Sequence, residues 1–448
     1  MSNREYDVLV VGGGPAGYYA GLITAVKGLK TLLVEEERIG GTCLNKSCVP
    51  LATLLKYLST TDLTVKLSRE GVGISVSNLS IDAGKLFNYV RSNVVNTLSE
   101  SMRKTLEDLG VDVFNGKAVL VNDSTAKVGD FYIKFKKAII ATGLKWGSGS
   151  GVRPCTEFID LNELPSKVLI IGCNPFGLSI ASIYSMLGSE VIVVDEGSEV
   201  LKDFDKEVVN YLMLALAERG VEVMTDTVVN SVVVKQGVKE VRLVRGNEVL
   251  TVGVDEVFNA SVCNPRLDVL GGLNIKLRDG YVWVDASLRT SVGNIYAAGD
   301  VTGLSTYAHT AIVQGVVAGV NVSGGNMNFT YRVSPRYTFT YPEIFSVGLT
   351  EDEAKSLGYE VLTARQSLTS NALAKASMSS GMVKVVVDSR YGGVLGVHAV
   401  GYGISEVVNE ASIAVTLEST SDTVINTLLA HPTLGEVLRD ALLQVLKV

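Results

Sequence analysis

Two cysteines five residues apart are the residues of this sequence that most directly suggest chemistry. They are Cys43 and Cys48, within the segment GGTCLNKSCVP at 40–50. Such a pair can form a stabilising disulfide, supply half of a metal site or act as a redox couple. The three histidines are isolated in sequence and the other cysteines are scattered, at Cys155, Cys173 and Cys263. This distribution disfavours a disulfide scaffold and a zinc site, and it predicts a redox couple with no metal.

A glycine-rich loop follows the first strand-like run. Residues 6–12, YDVLVVG, are typical of a buried parallel strand, and Gly12, Gly14 and Gly17 precede a helical stretch. The next strand-like run ends at Glu35. Glycines at this spacing permit a tight turn and let a pyrophosphate approach the positive end of the helix, while the acid binds a ribose. The segment predicts a dinucleotide site.

A second copy of this design begins at residue 167. KVLIIG leads to Gly172 and Gly177, the next strand-like run ends at Asp195, and 23 residues separate the first glycine from the acid in both copies. One glycine motif is weak evidence, but two copies framed by strand, helix and strand are strong. No arginine follows Asp195 to neutralise a 2′-phosphate, which favours NAD over NADP. The alternative is a doubly wound domain without a nucleotide.

Composition narrows the class of protein. The 448 residues carry a net charge of −7, a pI near 5.3 and 47% hydrophobic residues. These values indicate a multidomain globular protein and argue against a nucleic-acid or anionic-membrane partner. No apolar run reaches the roughly 18 residues that a membrane span needs, and the N-terminus lacks a signal-peptide pattern. We therefore expect a soluble, cytoplasmic protein.

Later segments must complete the architecture. A long helix is predicted over 85–110, ATG ends a strand-like run at Gly143, and AAGD places Asp300 at another strand's end. After about residue 330, β-rich runs are followed by amphipathic helices. Their apolar face either packs on its own sheet or forms a dimer interface, and we favour the dimer.

Together these pieces resemble the flavoprotein disulfide reductases (pyridine nucleotide-disulfide oxidoreductases of class I), and most closely their dihydrolipoyl dehydrogenase branch. The resemblance covers almost the whole chain and rests on GGGPAG, GGTCLNKSCVP, ATG, AAGD, YPEIFSVGLTE and AHPTLGE, in that order. It implies an α/β fold with two Rossmann-like dinucleotide-binding domains and a C-terminal α+β dimerisation domain. The implied ranges are an FAD-binding domain at 1–150, an NAD-binding domain at 151–264, a return segment completing the central FAD domain at 265–330 and the dimerisation domain at 331–448.

The resemblance also implies site residues. Cys48 would lie against the flavin as the charge-transfer thiol, and Cys43 would form the mixed disulfide with substrate. His431, oriented by Glu436, would act as general base from the other subunit of a homodimer. The residues implied for FAD are Gly12, Gly14, Gly17, Glu35, Thr42, Gly143 and Asp300, and those for NAD are Gly172, Gly177 and Asp195.

General chemistry supports these roles. A dithiol attacks as its thiolate, so its oxidation needs a base, and a histidine held by a carboxylate suits that task. The cysteine spacing predicts both sulfurs near the start of one helix, whose dipole lowers thiol pKa values. Thr433 and Glu436 also match a capping box for the last helix, so Glu436 has a structural interpretation beside the catalytic one.

Four positions depart from the family pattern. Ala52 and Ser179 stand where the family usually has a lysine and a glutamate that pair near the flavin, and Asn174 and Val262 replace glycines of the dinucleotide groove. Losing both members of an ion pair is coherent, whereas losing one leaves a buried charge unpaired. We therefore expect an intact FAD and dithiol site beside a modified NAD site. Lys46, between the cysteines, either lowers a thiol pKa or points into solvent.

The resulting hypothesis is a homodimeric FAD enzyme that oxidises protein-bound dihydrolipoamide through Cys43 and Cys48 and passes the electrons to NAD⁺. Its partner would be a lipoylated protein domain or a small dithiol. The alternative is a reductase or oxidase of another thiol–disulfide pair, or a variant lipoamide dehydrogenase, for example of sulfur metabolism, with a different electron partner. A third hypothesis is a regulatory flavoprotein without turnover, against which the full set of catalytic residue types argues.

Overall fold

The structure is a computed structural model that describes residues 5–261, 263–330 and 333–446. Val262 therefore lies outside the described residues. The strands are β1 Glu5–Val11, β2 Thr31–Glu35, β3 Asp112–Asn115, β4 Ala118–Asn122, β5 Thr125–Val128, β6 Phe131–Ile140, β7 Leu144–Trp146, β8 Arg153–Pro154, β9 Lys167–Ile171, β10 Glu190–Val194, β11 Val221–Met224, β12 Val228–Lys235, β13 Val238–Arg245, β14 Glu248–Val254, β15 Glu256–Asn259, β16 Cys263–Pro265, β17 Leu277–Arg278, β18 Tyr281–Val282, β19 Ile295–Ala297, β20 Arg336–Thr338, β21 Glu343–Gly348, β22 Val361–Ser367, β23 Gly381–Asp388 and β24 Val394–Gly401.

The helices lie between groups of these strands along the chain. They are α1 Pro15–Val26, α2 Gly41–Lys46, α3 Cys48–Arg69, α4 Ala83–Tyr89, α5 Asn96–Asp108, α6 Pro175–Leu187, α7 Lys206–Glu218, α8 Ala308–Val322, α9 Glu351–Ser356, α10 Ala372–Ala376, α11 Ser405–Thr416, α12 Ser421–Ile425 and α13 Glu436–Leu443. The helix predicted over 85–110 is found as α4 and α5, joined by a π-helical segment at Val90–Val95. Among the described residues, no helix is long and apolar enough to cross a membrane.

The first sheet, which with α1 and α8 we call the first unit, has the order β3-β2-β1-β6-β5-β4, with β19 added on β6. Its core pairs, β1 with β2 and β6 and β19 with β6, are parallel, so their carboxyl ends meet at one edge. At that edge Gly12 has φ +104°, and a Cβ there would lie 2.2 Å from the Ala141 carbonyl oxygen. Only glycine fits the turn from β1 into α1.

Helices α1 and α8 pack unusually closely, which ties a late segment to the first unit. A Cβ at Gly315 would lie 2.2 Å from the Ala16 carbonyl oxygen, and one at Gly319 would lie 2.8 Å from the Ile23 Cβ. Glycine at both positions lets the two helix backbones touch. The segment after β19 is therefore held against the start of the chain.

The second sheet, which with α6 and α7 we call the second unit, has the order β11-β10-β9-β15-β8, and its pairs are parallel. The antiparallel sheet β12-β13-β14 packs on it through a small apolar core. The second strand–helix–strand copy predicted from the sequence is thus β9-α6-β10. The predicted α/β class with two Rossmann-like units is confirmed.

The C-terminal part is an antiparallel sheet of order β20-β21-β24-β23-β22. Helices α11 and α13 pack on this sheet through Val407, Ala411, Leu438 and Leu442, all buried. The apolar face predicted from the sequence therefore covers its own sheet. Other apolar side chains of this part stay exposed, including Leu417 at 71% and Leu428 at 98%.

Candidate active site

One cavity of about 460 Å³ opens where the first unit, the second unit and the C-terminal sheet meet. Most of the residues predicted from the sequence for FAD and for redox chemistry line it. They are Gly12, Gly14, Glu35, Thr42, Cys43, Cys48, Gly143 and Asp300. Gly17 lets α1 pack directly against the loop, because a Cβ at this position would lie 1.8 Å from the Gly12 carbonyl oxygen.

The N-terminus of α1 forms an open cradle at one side of the cavity. Gly14 is its N-cap, and no side chain caps the first amides of the helix. The atom nearest to a Cβ built on Gly14 is the Gly41 Cα, 3.8 Å away, so the space above the loop is clear. Free amides at a positive helix end suit a phosphate, and these residues fit the pyrophosphate of FAD.

Two half-buried carboxylates complete this side. Glu35 accepts hydrogen bonds from the Gly13 amide at 2.6 Å and from the Glu37 amide at 2.8 Å, while burial raises its pKa. Burial also raises the pKa of Asp300 to about 6, so this carboxyl is mostly ionised at neutral pH. Glu35 is oriented for a ribose, and Asp300 contributes negative charge near the thiols.

The two cysteines belong to two helices, so the prediction of one helix is wrong. Cys43 lies in α2, and Cys48 is the first residue of the 22-residue α3. Ser47, with φ −143° and ψ −92°, breaks the helical path between them. The kink turns both sulfurs into the cavity and leaves Cys48 at the positive end of the longer helix.

The structure describes Cys43 and Cys48 as free thiols with opposite electrostatics. The hydrogen bond with Cys43 lowers the pKa of Cys48, and the Ser47 hydroxyl, 3.7 Å from the Cys48 sulfur, lowers it further. The same hydrogen bond and burial raise the pKa of Cys43. Of the two thiols, Cys48 is therefore the one that ionises first, and Cys43 is the one that keeps its proton.

His431 and Glu436 lie outside this cavity. The His431 side chain is 78% exposed, with its Nδ1 3.0 Å from the Glu436 Oε1. The Thr433 amide donates to the Glu436 carboxylate at 3.0 Å, and this bond and His431 lower the pKa of Glu436. The predicted capping box is wrong, because α13 begins at Glu436 itself, with Gly435 as its N-cap and no side-chain cap. The His431–Glu436 pair forms as predicted, but one chain alone does not bring His431 to the cysteines.

The turn of the second unit keeps the geometry of the first. Asp195 accepts from the Cys173 amide at 2.7 Å and the Gly197 amide at 2.8 Å, and a Cβ at Gly177 would lie 2.0 Å from the Gly172 carbonyl oxygen. These predicted NAD residues sit behind the cavity wall, which Asn174 and Ser179 line instead. Asp195 suits a ribose, but Asn174 occupies the amides that a pyrophosphate of NAD would use.

Ser179 is part of a neutral, hydrogen-bonded wall. It is 1% exposed, and its hydroxyl lies 2.6 Å from the Pro175 carbonyl oxygen and 2.9 Å from the Thr338 hydroxyl. Ala52 is exposed, and the α3 side chain that lines the cavity beside Cys48 is Leu51. The polar wall is thus satisfied without an ion pair.

Lys46 turns away from the thiols. Its ammonium pairs with Glu37, and 39% of its side chain is exposed. The groups that chiefly lower the pKa of Cys48 are Cys43, Ser47 and its own amide, which do not include Lys46. The structure gives no support to the hypothesis that Lys46 lowers a thiol pKa.

Several lining residues were missed by sequence reasoning. Trp146 and Phe176 meet edge to face at 5.4 Å between ring centroids, and Phe339 lines the cavity with them. Arg266 fixes the loop at Gly143, because its amide donates to the Gly143 carbonyl oxygen at 3.0 Å. The contact of Arg266 with Gly143 follows from the antiparallel pairing of β16 with β7. Strands of only three residues show too little periodicity to be predicted from the sequence.

Comparison with known proteins agrees with this geometry. A family model described as pyridine nucleotide-disulphide oxidoreductase matches residues 6–315, and its dimerisation domain matches 334–442. The chain is 31% identical to dihydrolipoyl dehydrogenase from Geobacillus stearothermophilus over 98% of this chain and 95% of that protein. It is 32% identical to the Bacillus subtilis enzyme of the same name, over 98% and 96%.

Solved structures show the same architecture. LpdA from Mycobacterium tuberculosis superposes with a TM-score of 0.89 at 26% identity, covering 98% of this chain and 100% of that chain. The HOCl-induced flavoprotein disulfide reductase RclA from Escherichia coli superposes with a TM-score of 0.85 at 23% identity, covering 98% and 99%. The second likeness concerns the fold alone.

Proposed function

The chain belongs to the pyridine nucleotide-disulphide oxidoreductase family, and from this premise we propose that it oxidises a dihydrolipoyl dithiol and passes the electrons to NAD⁺. It is an oxidoreductase, and proteins of this family and the dihydrolipoyl dehydrogenases use FAD and NAD(H). The dimerisation-domain match and these relatives support a homodimer. The observation that carries the proposal is the placement of Cys43 and Cys48 in the wall of one cavity, with the pKa of Cys48 lowered and that of Cys43 raised.

The two cysteines can accept the electron pair of the substrate dithiol by disulfide exchange. One substrate thiolate attacks the Cys43 sulfur of the oxidised pair, so that a mixed disulfide forms, the Cys43–Cys48 bond breaks and Cys48 leaves as a thiolate. The second substrate thiolate attacks the substrate sulfur of that mixed disulfide and releases Cys43, which takes up a proton. The directions of the two pKa shifts, lowered at Cys48 and raised at Cys43, agree with a product in which Cys48 is the thiolate and Cys43 the thiol.

A base must take protons from the substrate thiols, and His431 is the proposed group. The Glu436 carboxylate at its Nδ1 favours the tautomer whose Nε2 is free to accept a proton. Because His431 is exposed at the surface of the dimerisation domain while Glu436 is buried behind it, we propose that the partner subunit supplies this histidine to each cavity.

FAD would be held by the α1 amides, Glu35, Thr42, Gly143 and Asp300, and when bound it accepts the electron pair from the thiols and delivers it to NAD⁺. NAD⁺ would contact Gly172, Gly177 and Asp195 of the second unit. A lipoylated protein domain would present the dithiol, and redox-active free thiols suit a reducing compartment such as the cytoplasm.

The test is complementation between two inactive homodimers. Cys43→Ser and His431→Ala are each expected to lose at least about 100-fold of dihydrolipoamide oxidation. Co-expressed, they form hybrid dimers with one intact site, and about a quarter of wild-type activity returns. Mixing after purification without subunit exchange is the control. No recovery in isolated hybrid dimers would show that His431 does not act across the interface.

A second candidate keeps the dithiol half and changes the electron acceptor. The observation that favours it is the altered second unit, with Asn174 on the pyrophosphate amides and the neutral Ser179 wall. Turnover with dihydrolipoamide in the presence of NAD⁺, or of an artificial dye in its place, separates the two. Turnover with the dye but not with saturating NAD⁺ would select the second candidate.

A further inference from the structure

The two glycine-rich turns have nearly the same backbone and different side chains at one position. Gly14 caps α1 with φ −68° and ψ −175°, and Asn174 caps α6 with φ −88° and ψ 174°. The Gly12 amide, directly after β1, donates to the Val34 carbonyl oxygen at 2.8 Å. The equivalent Gly172 amide donates to the Val194 carbonyl oxygen at 2.7 Å. The difference between the turns therefore lies in the Asn174 side chain.

That side chain makes three hydrogen bonds, one of which crosses the groove. Its Oδ1 accepts from the Phe176 amide at 3.1 Å and from the Gly177 amide at 3.0 Å. Its Nδ2 donates to the Ala260 carbonyl oxygen at 2.6 Å. Asn174 thus bridges the start of α6 to the end of β15, which is the crevice where a doubly wound sheet binds its ligand.

The charged residues of the second unit do not compensate for these occupied amides. Of residues 167–261, all of which the structure describes, the one charged residue lining the cavity is Asp203. A carboxylate there repels a pyrophosphate. No lysine or arginine of this range lines the cavity in place of the lost amide donors.

We propose that Asn174 is a specificity-determining residue that competes with the pyrophosphate of NAD(H) for the amides of α6 and so keeps the affinity of the second unit for this dinucleotide low. The inference rests on the proposed use of NAD(H) and deepens it. A bound dinucleotide must displace the cap and the Ala260 bond together, whereas Asp195 and the glycine turn remain available. The Asn174 side chain thus occupies the helix amides that a bound phosphate would otherwise use.

The experiment is calorimetric titration of oxidised, FAD-loaded protein with ADP-ribose and with NAD⁺, neither of which transfers electrons to it. Asn174→Gly is expected to bind both about 10- to 100-fold more tightly than wild type, which is about 1.4 to 2.7 kcal/mol. Adenosine, which lacks the pyrophosphate, is expected to bind both proteins alike.

A matched control exists in the C-terminal domain. Asn371 caps α10 through the Leu373 and Ala374 amides and donates to the Thr433 carbonyl oxygen at 2.8 Å, so it makes the same three kinds of bond far from the groove. Asn371→Gly is expected to leave ADP-ribose affinity unchanged. Asn174→Asp, which keeps the cap and adds a charge, is expected to weaken it.

Two results would overturn the inference. One is an ADP-ribose affinity of Asn174→Gly within about twofold of wild type while its flavin content and circular dichroism are unchanged. The other is an equal gain for adenosine, which would place the effect away from the pyrophosphate. Neither depends on dithiol turnover, so a failure of the proposed function would appear separately, as absent reduction by dihydrolipoamide.

Discussion

The first and second units are two versions of one strand–turn–helix design, and they differ in what holds the helix amides. In both turns the last glycine packs against the carbonyl oxygen of the first. A Cβ built on Gly17 would lie 1.8 Å from the Gly12 oxygen, and one built on Gly177 would lie 2.0 Å from the Gly172 oxygen. Both have an acid that accepts from two loop amides. In the first unit the helix amides face open space, and in the second they face Asn174.

The difference teaches that the turn and the ligand affinity are set by separate residues. The glycines determine whether β-strand and helix can be joined at all, and their requirement is steric. The residue at the N-cap determines whether the helix end is available to a phosphate. A unit can therefore keep its fold in full while its affinity for a dinucleotide changes.

The largest expected effect tests the shared half of the comparison. Gly17→Ala and Gly177→Ala should each lower the free energy of unfolding by about 3 kcal/mol or more, because the new Cβ meets a backbone carbonyl in both turns. Chemical denaturation followed by circular dichroism measures this. Gly272→Ala is the control, since no atom lies within 4 Å of a Cβ built there. A mild effect at either turn would break the equivalence of the units.

The next prediction places the asparagine of the second turn at the equivalent position of the first. Gly14→Asn should lower FAD affinity by about 10- to 100-fold. The oxygen of the new side chain can accept from the first amides of α1, and its nitrogen can donate to the carbonyl oxygen of Ala141, the counterpart of Ala260. The correspondence follows from the Ala141 and Ala260 amides, which bond Val11 and Ile171 respectively at 2.8 Å. Titration of the flavin-free protein with FAD measures it. Gly14→Ala, which adds bulk without a cap, should retain FAD.

The smallest effect concerns the thiols of the two units. Iodoacetamide should modify Cys48 at lower pH than an ordinary thiol, because its pKa is lowered, and should spare Cys173, whose pKa burial raises to about 12. In Cys43→Ala the hydrogen bond is lost, the pKa of Cys48 rises, and the pH at which alkylation is half-maximal moves upward. Peptide mass spectrometry across pH measures this. An unshifted profile would show that Cys43 does not hold the charge on Cys48.

Local patterns predicted the turns well, because their requirement is contained in a few consecutive residues. Gly12, Gly17 and Glu35 were placed from their spacing. The contact of His431 with Glu436 was expected from the family resemblance and is found in the structure. The break at Ser47 was not predicted, since a serine there is compatible with a continuous helix. Sequence reasoning identified Asn174 as the replacement of a groove glycine but not its hydrogen bonds, which include one to the distant Ala260.

Contacts distant in sequence were beyond such reasoning. The family's lysine position is Ala52, which is exposed, and the turn of α3 presents Leu51 to the cavity instead. Which residue of a helix faces a cavity depends on how the helix packs, and α3 has no strong amphipathic pattern to reveal it. The pairing of β16 with β7, which brings Arg266 to Gly143, joins segments more than a hundred residues apart.

The position of β19 has a consequence for the order in which the protein forms on the ribosome. The first sheet begins at Glu5 but receives β19, Ile295–Ala297, only after the whole second unit has been made. Strands β8 to β11 and β15 all lie between Arg153 and Asn259, so the second sheet has all its strands while the first still lacks one. Asp300 and α8 leave the ribosome later still. The nascent chain therefore completes its inserted unit first, and the flavin site is finished only when the return segment has emerged.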